Sequence, residues 1–212
     1  MKDYLGTVYN PNRRSKNNYP ELLCKHVSED ILEKNTGLFV EFGCGPCQHL
    51  KIFKEIGFDV IGVDIDPKVK NYSKDIKIII NDVNKEKTTI KDNSIDFVFS
   101  KSFVEHLSDP DHFFLEAYRI LKPGGKILTM VPDWESNMKI YFDDHTHVKP
   151  FTKVSLRDIL MMTDFKSIKV YRFRQLPITW KYPFINIISF LVSFFVDLLI
   201  YIVVLINVIH AQ

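Results

Sequence analysis

The chain has 212 residues, a length that favours one domain with an appendage over two full domains. Its hydrophobic fraction of 46% and charged fraction of 25% are typical of globular proteins and exclude a disordered chain or a fibre. A net charge of +2 argues against a dedicated nucleic-acid binder, and three cysteines are too few for a secreted disulfide scaffold. Because the N-terminal residues lack the apolar core of a signal peptide, we expect a cytoplasmic protein.

Helical and strand patterns alternate along most of the chain. The periodicity predicts an amphipathic helix over residues 19–34, a buried strand over 38–42 and a helix over 48–56. Further strands are predicted at 60–63, 76–80, 95–100, 126–131 and 165–173, with helices at 110–121 and 152–162. This alternation predicts an α/β fold with a doubly wound, Rossmann-like parallel sheet of six or seven strands.

Ligand-binding residue types stand where the first three strands end. Gly43 and Gly45 follow the first strand and allow a tight turn with close approach of a ligand. Asp64 ends the second strand and can accept both hydroxyls of a ribose. Asp82, followed by Val83, ends the third strand and can accept an adenine amino group. Because parallel strands bring their carboxyl ends to one edge, these residues together predict an adenosine site.

The C-terminal region is an apolar run of 26 residues, from Phe184 to Ile209. As a helix it would be about 39 Å long, enough to cross a bilayer. Its polar residues, Asp197 among them, fall within an arc of about 120° on that helix. The helix could therefore span the membrane, lie in its plane or pack internally, and we expect membrane association. No lysine or arginine follows residue 183, whereas basic residues precede the run, so the rest of the chain is expected on the cytosolic side.

The ordered motifs resemble class I S-adenosylmethionine-dependent methyltransferases of the small-molecule type (methyltransferase-11/23-like). The matching segments are Glu41-Phe42-Gly43-Cys44-Gly45, Val63-Asp64-Ile65-Asp66, Asn81-Asp82-Val83, residues 94–100, Val104-Glu105-His106-Leu107 and residues 119–125. The resemblance implies S-adenosyl-L-methionine as cofactor. It implies that Gly43 and Gly45 line the methionine part and that Ser100 flanks the sulfonium. Glu41 and Ile65 belong to the matching cofactor motifs.

Two other functions share part of this pattern. A dinucleotide fingerprint needs a small residue at the position of Gln48, where a bulky side chain disfavours helix packing against the loop. Cys44 and Cys47 have the spacing of a dithiol redox motif between a strand and a helix. Phe42-Gly43 stands where that motif usually has tryptophan, and no downstream Thr-Pro is found.

Two groups are candidates for catalysis on the acceptor. Methyl transfer to oxygen needs a base near the methyl group, and His106 at the tip of the fourth strand is the first candidate. A packing or capping histidine is the structural alternative there. In the long connection after the fifth strand, Asp144 could orient His145 or His147, unless this is a solvated polar loop. The resemblance favours His147, because a histidine before a basic residue and Pro-Phe recurs there.

These observations predict three regions: an N-terminal segment (1–36), a cofactor-binding methyltransferase domain (37–176) and a hydrophobic tail (177–212). We expect an oxygen of a small-molecule, lipid-linked or glycan-linked acceptor to be methylated. A non-catalytic, membrane-tethered subunit with the same fold is the alternative from another class. Some quinone O-methyltransferases that this region resembles have a carboxylate where this chain has Ser102, so we expect no metal.

Overall fold

The computed structural model describes residues 17–185, together with residues 6, 187 and 203–210. The strands, in chain order, are β1 (Leu38–Phe42), β2 (Asp59–Asp64), β3 (Lys77–Ile80), β4 (Ile95–Lys101), β5 (Leu121–Pro132), β6 (Lys166–Arg174) and β7 (Val203–His210). The helices are α1 (Tyr19–His26), α2 (Gln48–Ile56), α3 (Pro110–Ile120), α4 (Trp134–Asn137), α5 (Lys153–Met162) and α6 (Pro177–Lys181). A π-helical segment (Val27–Leu32) and three 3₁₀ turns (Pro67–Asn71, Val104–His106 and Tyr141–Asp143) complete the described elements.

The strands form one sheet in the order β3-β2-β1-β4-β5-β7-β6. The first five strands are parallel, and β7 pairs antiparallel with both β5 and β6. The predicted doubly wound α/β sheet is therefore confirmed. The chain leaves β1 toward β2 on one side and reaches β4 on the other, so the strand order reverses between β1 and β4. In open α/β sheets, ligands bind in the crevice at such a reversal.

Helices cover both faces of the sheet, and alternate residues of β1 supply the two apolar layers. Phe39 packs with residues of α1 and α2, whereas Val40 and Phe42 pack with residues of α3 and α5. This alternation follows from the two-residue period of a strand. Each of these side chains is at most 1% exposed, and full burial of one stabilises the fold by about 1.5–3 kcal/mol. The layers fix the ends of β1, β2 and β4 relative to one another.

The N-terminal helix is less regular than predicted. Instead of one α-helix over residues 19–34, the structure has α1 followed by the π-helical Val27–Leu32. The segment ends at Glu33, whose backbone is left-handed with φ of 55°. At α2 the predicted bounds are confirmed, and Gly57 closes that helix with φ of 128°.

The C-terminal prediction requires a correction. Residues 203–209, predicted as part of a long helix, lie in β7, between β5 and β6. Residue 186 and residues 188–202, which include Asp197, lie outside the described residues. In the described part of the chain, no helix combines the length and the apolar character that a membrane span needs. Because β7 belongs to the sheet, the sheet continues past residue 176, the predicted end of the cofactor-binding domain.

Candidate functional site

The loop after β1 turns sharply at the edge of the sheet. Gly43 and Gly45 both have left-handed backbones, with φ of 69° and 45°. The amide of Gly43 donates to the carbonyl of Val63 at 2.8 Å, which ties the loop to β2. A Cβ atom at Gly43 would lie 2.4 Å from a ring carbon of Phe103. Glycine is therefore needed at position 43 both for its backbone angle and for the close approach of Phe103.

Asp64 holds this loop in place from the end of β2. Its Oδ2 accepts from the amide of Gly45 and its Oδ1 from the amide of Asp66, each at 2.9 Å. Burial raises the pKa of Asp64, and the two amide bonds oppose that shift. Each carboxylate oxygen can accept more than one hydrogen bond, so Asp64 retains capacity for a ligand.

Asp82 is positioned where the chain leaves β3. The amide of Asn81 donates to the carbonyl of Asp64 at 2.9 Å, which links the ends of β2 and β3. One carboxylate oxygen of Asp82 lies 2.8 Å from Nζ of Lys85, and the other accepts from the amide of Asn84 at 3.2 Å. The hydrogen bond from Lys85 is the main cause of a lowered pKa at Asp82, so its carboxylate stays charged at neutral pH.

The three strand ends enclose a cavity of about 570 Å³. That volume is in the range of small-molecule and cofactor sites. Of the predicted site residues, seven line the cavity: Gly43, Gly45, Asp64, Ile65, Asp82, Val83 and His106. The lining also includes residues that the sequence reasoning missed, namely Asn84, Ser102, Phe103, Leu107 and Thr146. Most of these residues follow the ends of β3 and β4, so their position after a predicted strand could have marked them as site residues.

Glu41 and Ser100 do not line the cavity. Ser100 is fully buried in β4, where its hydroxyl donates to Oγ1 of Thr129 at 3.1 Å. The side chain of Ser100, which was expected to flank the sulfonium, therefore lies within the sheet and not in the cavity. Glu41 is 2% exposed and its Oε1 accepts from Nδ1 of His49 at 2.9 Å, while its Oε2 has no partner. Burial is the largest influence on the Glu41 carboxyl and raises its pKa.

His106 is connected to the loop after β5 by a chain of hydrogen bonds. Oγ1 of Thr146 lies 2.9 Å from Nδ1 of His106 and donates to Oδ1 of Asp144 at 2.6 Å. Since that hydroxyl hydrogen is used on Asp144, Nδ1 of His106 is the donor and Nε2 carries the lone pair. Asp144 thus orients His106 through Thr146, a link that the prediction of Asp144 beside His145 or His147 did not include. Burial lowers the pKa of His106 and keeps the ring neutral at physiological pH.

His147 lies beside His106 without lining the cavity. The two ring centres are 4.9 Å apart. Nδ1 of His147 donates to the carbonyl of Tyr141 at 2.6 Å, so its Nε2 also carries a lone pair. That atom is 4.0 Å from Asp144 and 3.9 Å from Oε1 of Glu105. The structure thus brings the three predicted catalytic residues, His106, His147 and Asp144, into one cluster.

Glu105 is the residue of this cluster that the sequence reasoning did not select. It is fully buried, and neither carboxylate oxygen has a hydrogen-bond partner. Burial raises the pKa of Glu105 to about 8. Its backbone carbonyl accepts from the amides of Val148 and Lys149 at 2.9 and 3.1 Å, which fixes the loop carrying His147 against it. Proximity between residues 105 and 147 depends on the tertiary fold, so local spacing could not reveal the group.

The side chains of the cysteine pair do not line the cavity either. Cys44 and Cys47 are both buried free thiols, and neither lines the cavity wall. A Cβ atom at Gly62 would lie 2.7 Å from the sulfur of Cys44, so that thiol packs tightly against β2. Burial of this kind is typical of structural cysteines rather than of an exposed redox pair.

Comparison with known proteins shows what the part of the chain that carries the cavity is similar to. Residues 40–129 match the family described as "Methyltransferase domain". A protein of Mycolicibacterium smegmatis named as a probable S-adenosylmethionine-dependent methyltransferase is 28% identical over 123 residues, covering 57% of this chain and 45% of that protein. A malonyl-[acyl-carrier protein] O-methyltransferase of Yersinia pestis is 29% identical over 108 residues, covering 49% of this chain and 40% of that protein. The chain spans less than half the length of either relative.

The fold is similar to that of solved methyltransferase structures. The crystal structure of a SAM-dependent methyltransferase from Archaeoglobus fulgidus superposes with a TM-score of 0.68 at 24% identity, covering 81% of this chain and 79% of that chain. A structural match at this identity establishes the fold. Together with the family match, it confirms the resemblance inferred from the strand-end motifs.

Proposed function

We propose that this chain, which carries a class I S-adenosylmethionine-dependent methyltransferase domain, transfers a methyl group to an oxygen atom of a small-molecule acceptor. The observation that carries the proposal is the cavity at the reversal of strand order, where Gly43, Gly45, Asp64 and Asp82 meet. A neutral histidine, His106, lines the same cavity and supplies a proton acceptor for the transfer.

The residues present fit S-adenosylmethionine. Asp64 has free acceptor capacity for sugar hydroxyls, and Asp82 is a charged acceptor suited to the adenine amino group. Ile65, Val83 and Leu107 offer apolar lining for the faces of the base. Gly43 and Gly45 line the same cavity, where the methionine part would lie against their backbone. When bound, S-adenosylmethionine supplies an electrophilic methyl group on a sulfonium, and the protein supplies position and desolvation.

An oxygen acceptor is supported by the state of His106. Its Nδ1 is held by Thr146 and Asp144, so its Nε2 presents a lone pair that can take the proton of an acceptor hydroxyl. Because burial keeps the ring neutral, the lone pair is available near pH 7. The similarity to a malonyl-[acyl-carrier protein] O-methyltransferase points to the same class of acceptor atom. We assign His106 as the catalytic base, with Asp144 as a positioning residue.

The acceptor is proposed to be apolar or lipid-linked and to be met at the cytoplasmic face of a membrane. The loop that carries Thr146 and His147 also exposes apolar side chains: Met138, Ile140 and Phe142 are each 56% exposed. Exposed large apolar groups beside a ligand site are typical of surfaces that contact an apolar partner. This loop supports the membrane proposal more directly than the C-terminal segment does, because part of that segment lies in β7.

Two measurements test this function in sequence. Calorimetric titration of the full chain with S-adenosylhomocysteine should show one site per chain. The chain should then be incubated with radiolabelled methyl donor and lysate or membrane-lipid fractions, and we expect a labelled small molecule. Mild base would release the label from a methyl ester and leave it on a methyl ether. A labelled amine would replace oxygen by nitrogen as the acceptor atom. Binding without label in any fraction would favour the non-catalytic alternative, and no binding would refute the proposal.

A further inference from the structure

We propose that Glu105, His106 and His147 form a binding site for a divalent transition-metal ion of the zinc type in the wall of the cavity. One nitrogen of each histidine and one oxygen of Glu105 lie within 4.8 Å of one another. Oε1 of Glu105 is 4.0 Å from Nε2 of His106 and 3.9 Å from Nε2 of His147. Two imidazoles and one carboxylate are a ligand set found for zinc and for other divalent transition metals.

The hydrogen bonds around the cluster leave three acceptors facing one another. Nδ1 of His106 donates to Thr146 and Nδ1 of His147 donates to the carbonyl of Tyr141, so both Nε2 atoms carry lone pairs. Among the described residues, no side chain donates a hydrogen bond to either oxygen of Glu105. The Lys101 ammonium acts on Glu105 electrostatically without a hydrogen bond to it. Three acceptor atoms within 4.8 Å of one another need a cation, or a proton, to offset their repulsion.

The hydrogen bonds that hold the two histidine rings have the organisation of a metal site. Histidine ligands commonly donate their other ring nitrogen to a carbonyl or a carboxylate, and this bond fixes the tautomer that binds metal. His147 makes that bond directly to Tyr141, and His106 makes it to Thr146, which is in turn bonded to Asp144. An unpaired buried carboxylate is costly, so Glu105 needs either a proton or a bound cation to offset its charge.

The observed spacing requires only a modest closure. Zinc–ligand distances of about 2.0–2.2 Å place tetrahedral ligands about 3.3–3.6 Å from each other. The cluster is a few tenths of an ångström wider at both carboxylate–imidazole pairs. His106 stands in a 3₁₀ turn and His147 in a loop, so both rings can adjust by that amount without moving a strand.

The site also revises the expectation that no metal binds, which was based on Ser102. That expectation took into account only residues near Glu105 in the sequence and not His147. His106 lines the cavity, so a metal there would face the acceptor. Under the function proposed above, such an ion would lower the pKa of an acceptor hydroxyl, and His106 acts as the base only in the metal-free chain. That role rests on the proposed function, whereas the metal site itself does not.

The test uses the full chain, freed of metal by a chelator, and titrates it calorimetrically with Zn²⁺ and spectroscopically with Co²⁺. We expect one site per chain with a Co²⁺ spectrum of nitrogen and oxygen ligands. Glu105→Gln and His147→Ala should each weaken binding by at least about 10-fold, as loss of even an outer-shell partner can. His145→Ala is the matched control, an exposed histidine of the same loop, and should bind as wild type.

Several results would overturn the site. One is that wild type, Glu105→Gln and His147→Ala bind the metal with equal affinity. The others are a thiolate band in the Co²⁺ spectrum and the absence of binding by the wild type. Circular dichroism and thermal melting identify a variant that fails to fold, and Glu105→Gln keeps the shape of the side chain if His147→Ala does not fold. Titration of the same samples with S-adenosylhomocysteine separates failure of the metal site from failure of the proposed function.

Discussion

Replacing Asp64 by asparagine should weaken the binding of S-adenosylhomocysteine by about 10- to 150-fold. The carboxylate accepts from the amides of Gly45 and Asp66 at 2.9 Å each. An asparagine can accept only one of these bonds and places an NH₂ group against the other amide. The affinity loss comes from the sugar: a hydrogen bond from its hydroxyl to a charged acceptor is worth about 1.5–3 kcal/mol, and each 1.4 kcal/mol is tenfold in affinity. Any sugar hydroxyl held by Asp64 would lose its charged acceptor as well.

The assay is calorimetric titration at one pH and salt concentration, with thermal melting to confirm that each variant folds. Asp59→Asn is the matched control, because Asp59 begins the same strand and is exposed at the opposite edge of the sheet. It should bind as wild type. If a folded Asp64→Asn variant also binds as wild type, Asp64 does not contact the ligand and the reasoning about the strand ends is refuted.

Three further predictions concern the residues around the cavity. His106→Ala should lower the transfer rate by about 10²- to 10⁴-fold in a methyl-transfer assay, whereas His145→Ala should not change it. Ser100→Ala should leave S-adenosylhomocysteine affinity within about twofold while costing about 1 kcal/mol of unfolding free energy, because its hydroxyl bonds Thr129 inside the sheet. With chelator present, the unfolding free energy of the wild type should fall, relative to that of Glu105→Gln, as the pH rises from about 4.5 to 8. Denaturant titrations at several pH values measure this difference. Folding raises the pKa of Glu105 from 4.5 to about 8, so the folded chain holds the proton more tightly in that window, by up to about 1.4 kcal/mol per pH unit.

Each of these predictions has an outcome that contradicts it. Unchanged turnover in His106→Ala would remove that ring from the chemistry. A large loss of affinity in Ser100→Ala would mean that the hydroxyl reaches the ligand after all. Parallel pH profiles for wild type and Glu105→Gln would show that Glu105 is ionised in the folded chain at acidic pH.

The strand ends could be predicted because local sequence determines them. Asp64 and Asp82 each follow a short apolar run, and parallel strands bring such ends to one edge whatever the loops between them do. Seven predicted site residues consequently line the cavity. Ser100 was misplaced because its position depends on which face of β4 it occupies. In a strand buried on both faces, hydrophobicity does not mark which side meets the ligand.

The C-terminal run shows a second limit of sequence patterns. A continuous apolar segment is compatible with a helix in a membrane and with a strand inside a sheet, and periodicity does not separate the two. Residues 203–210 pair with β5 and β6, so their structure depends on the free sheet edges that those strands offer. Length alone favoured a single helix, because residues 184–209 are long enough to cross a bilayer.

The Glu105 cluster could not be found locally, because its members come from the turn after β4 and from the loop after β5. Val148 and Lys149 donate their amides to the carbonyl of Glu105, and this pairing places His147 beside it. Sequence reasoning selected both histidines separately as bases. It did not show that they share a buried carboxylate, which is a property of the folded chain.

The most direct test of the account is a crystal structure of the full chain with S-adenosylhomocysteine. We predict that the sugar hydroxyls contact the carboxylate of Asp64, the base lies against Val83 with its amino group at Asp82, and the sulfur faces His106. A ligand bound elsewhere, or a base lying away from Val83 and Asp82, would contradict the proposal that these strand ends form the methyl-donor site.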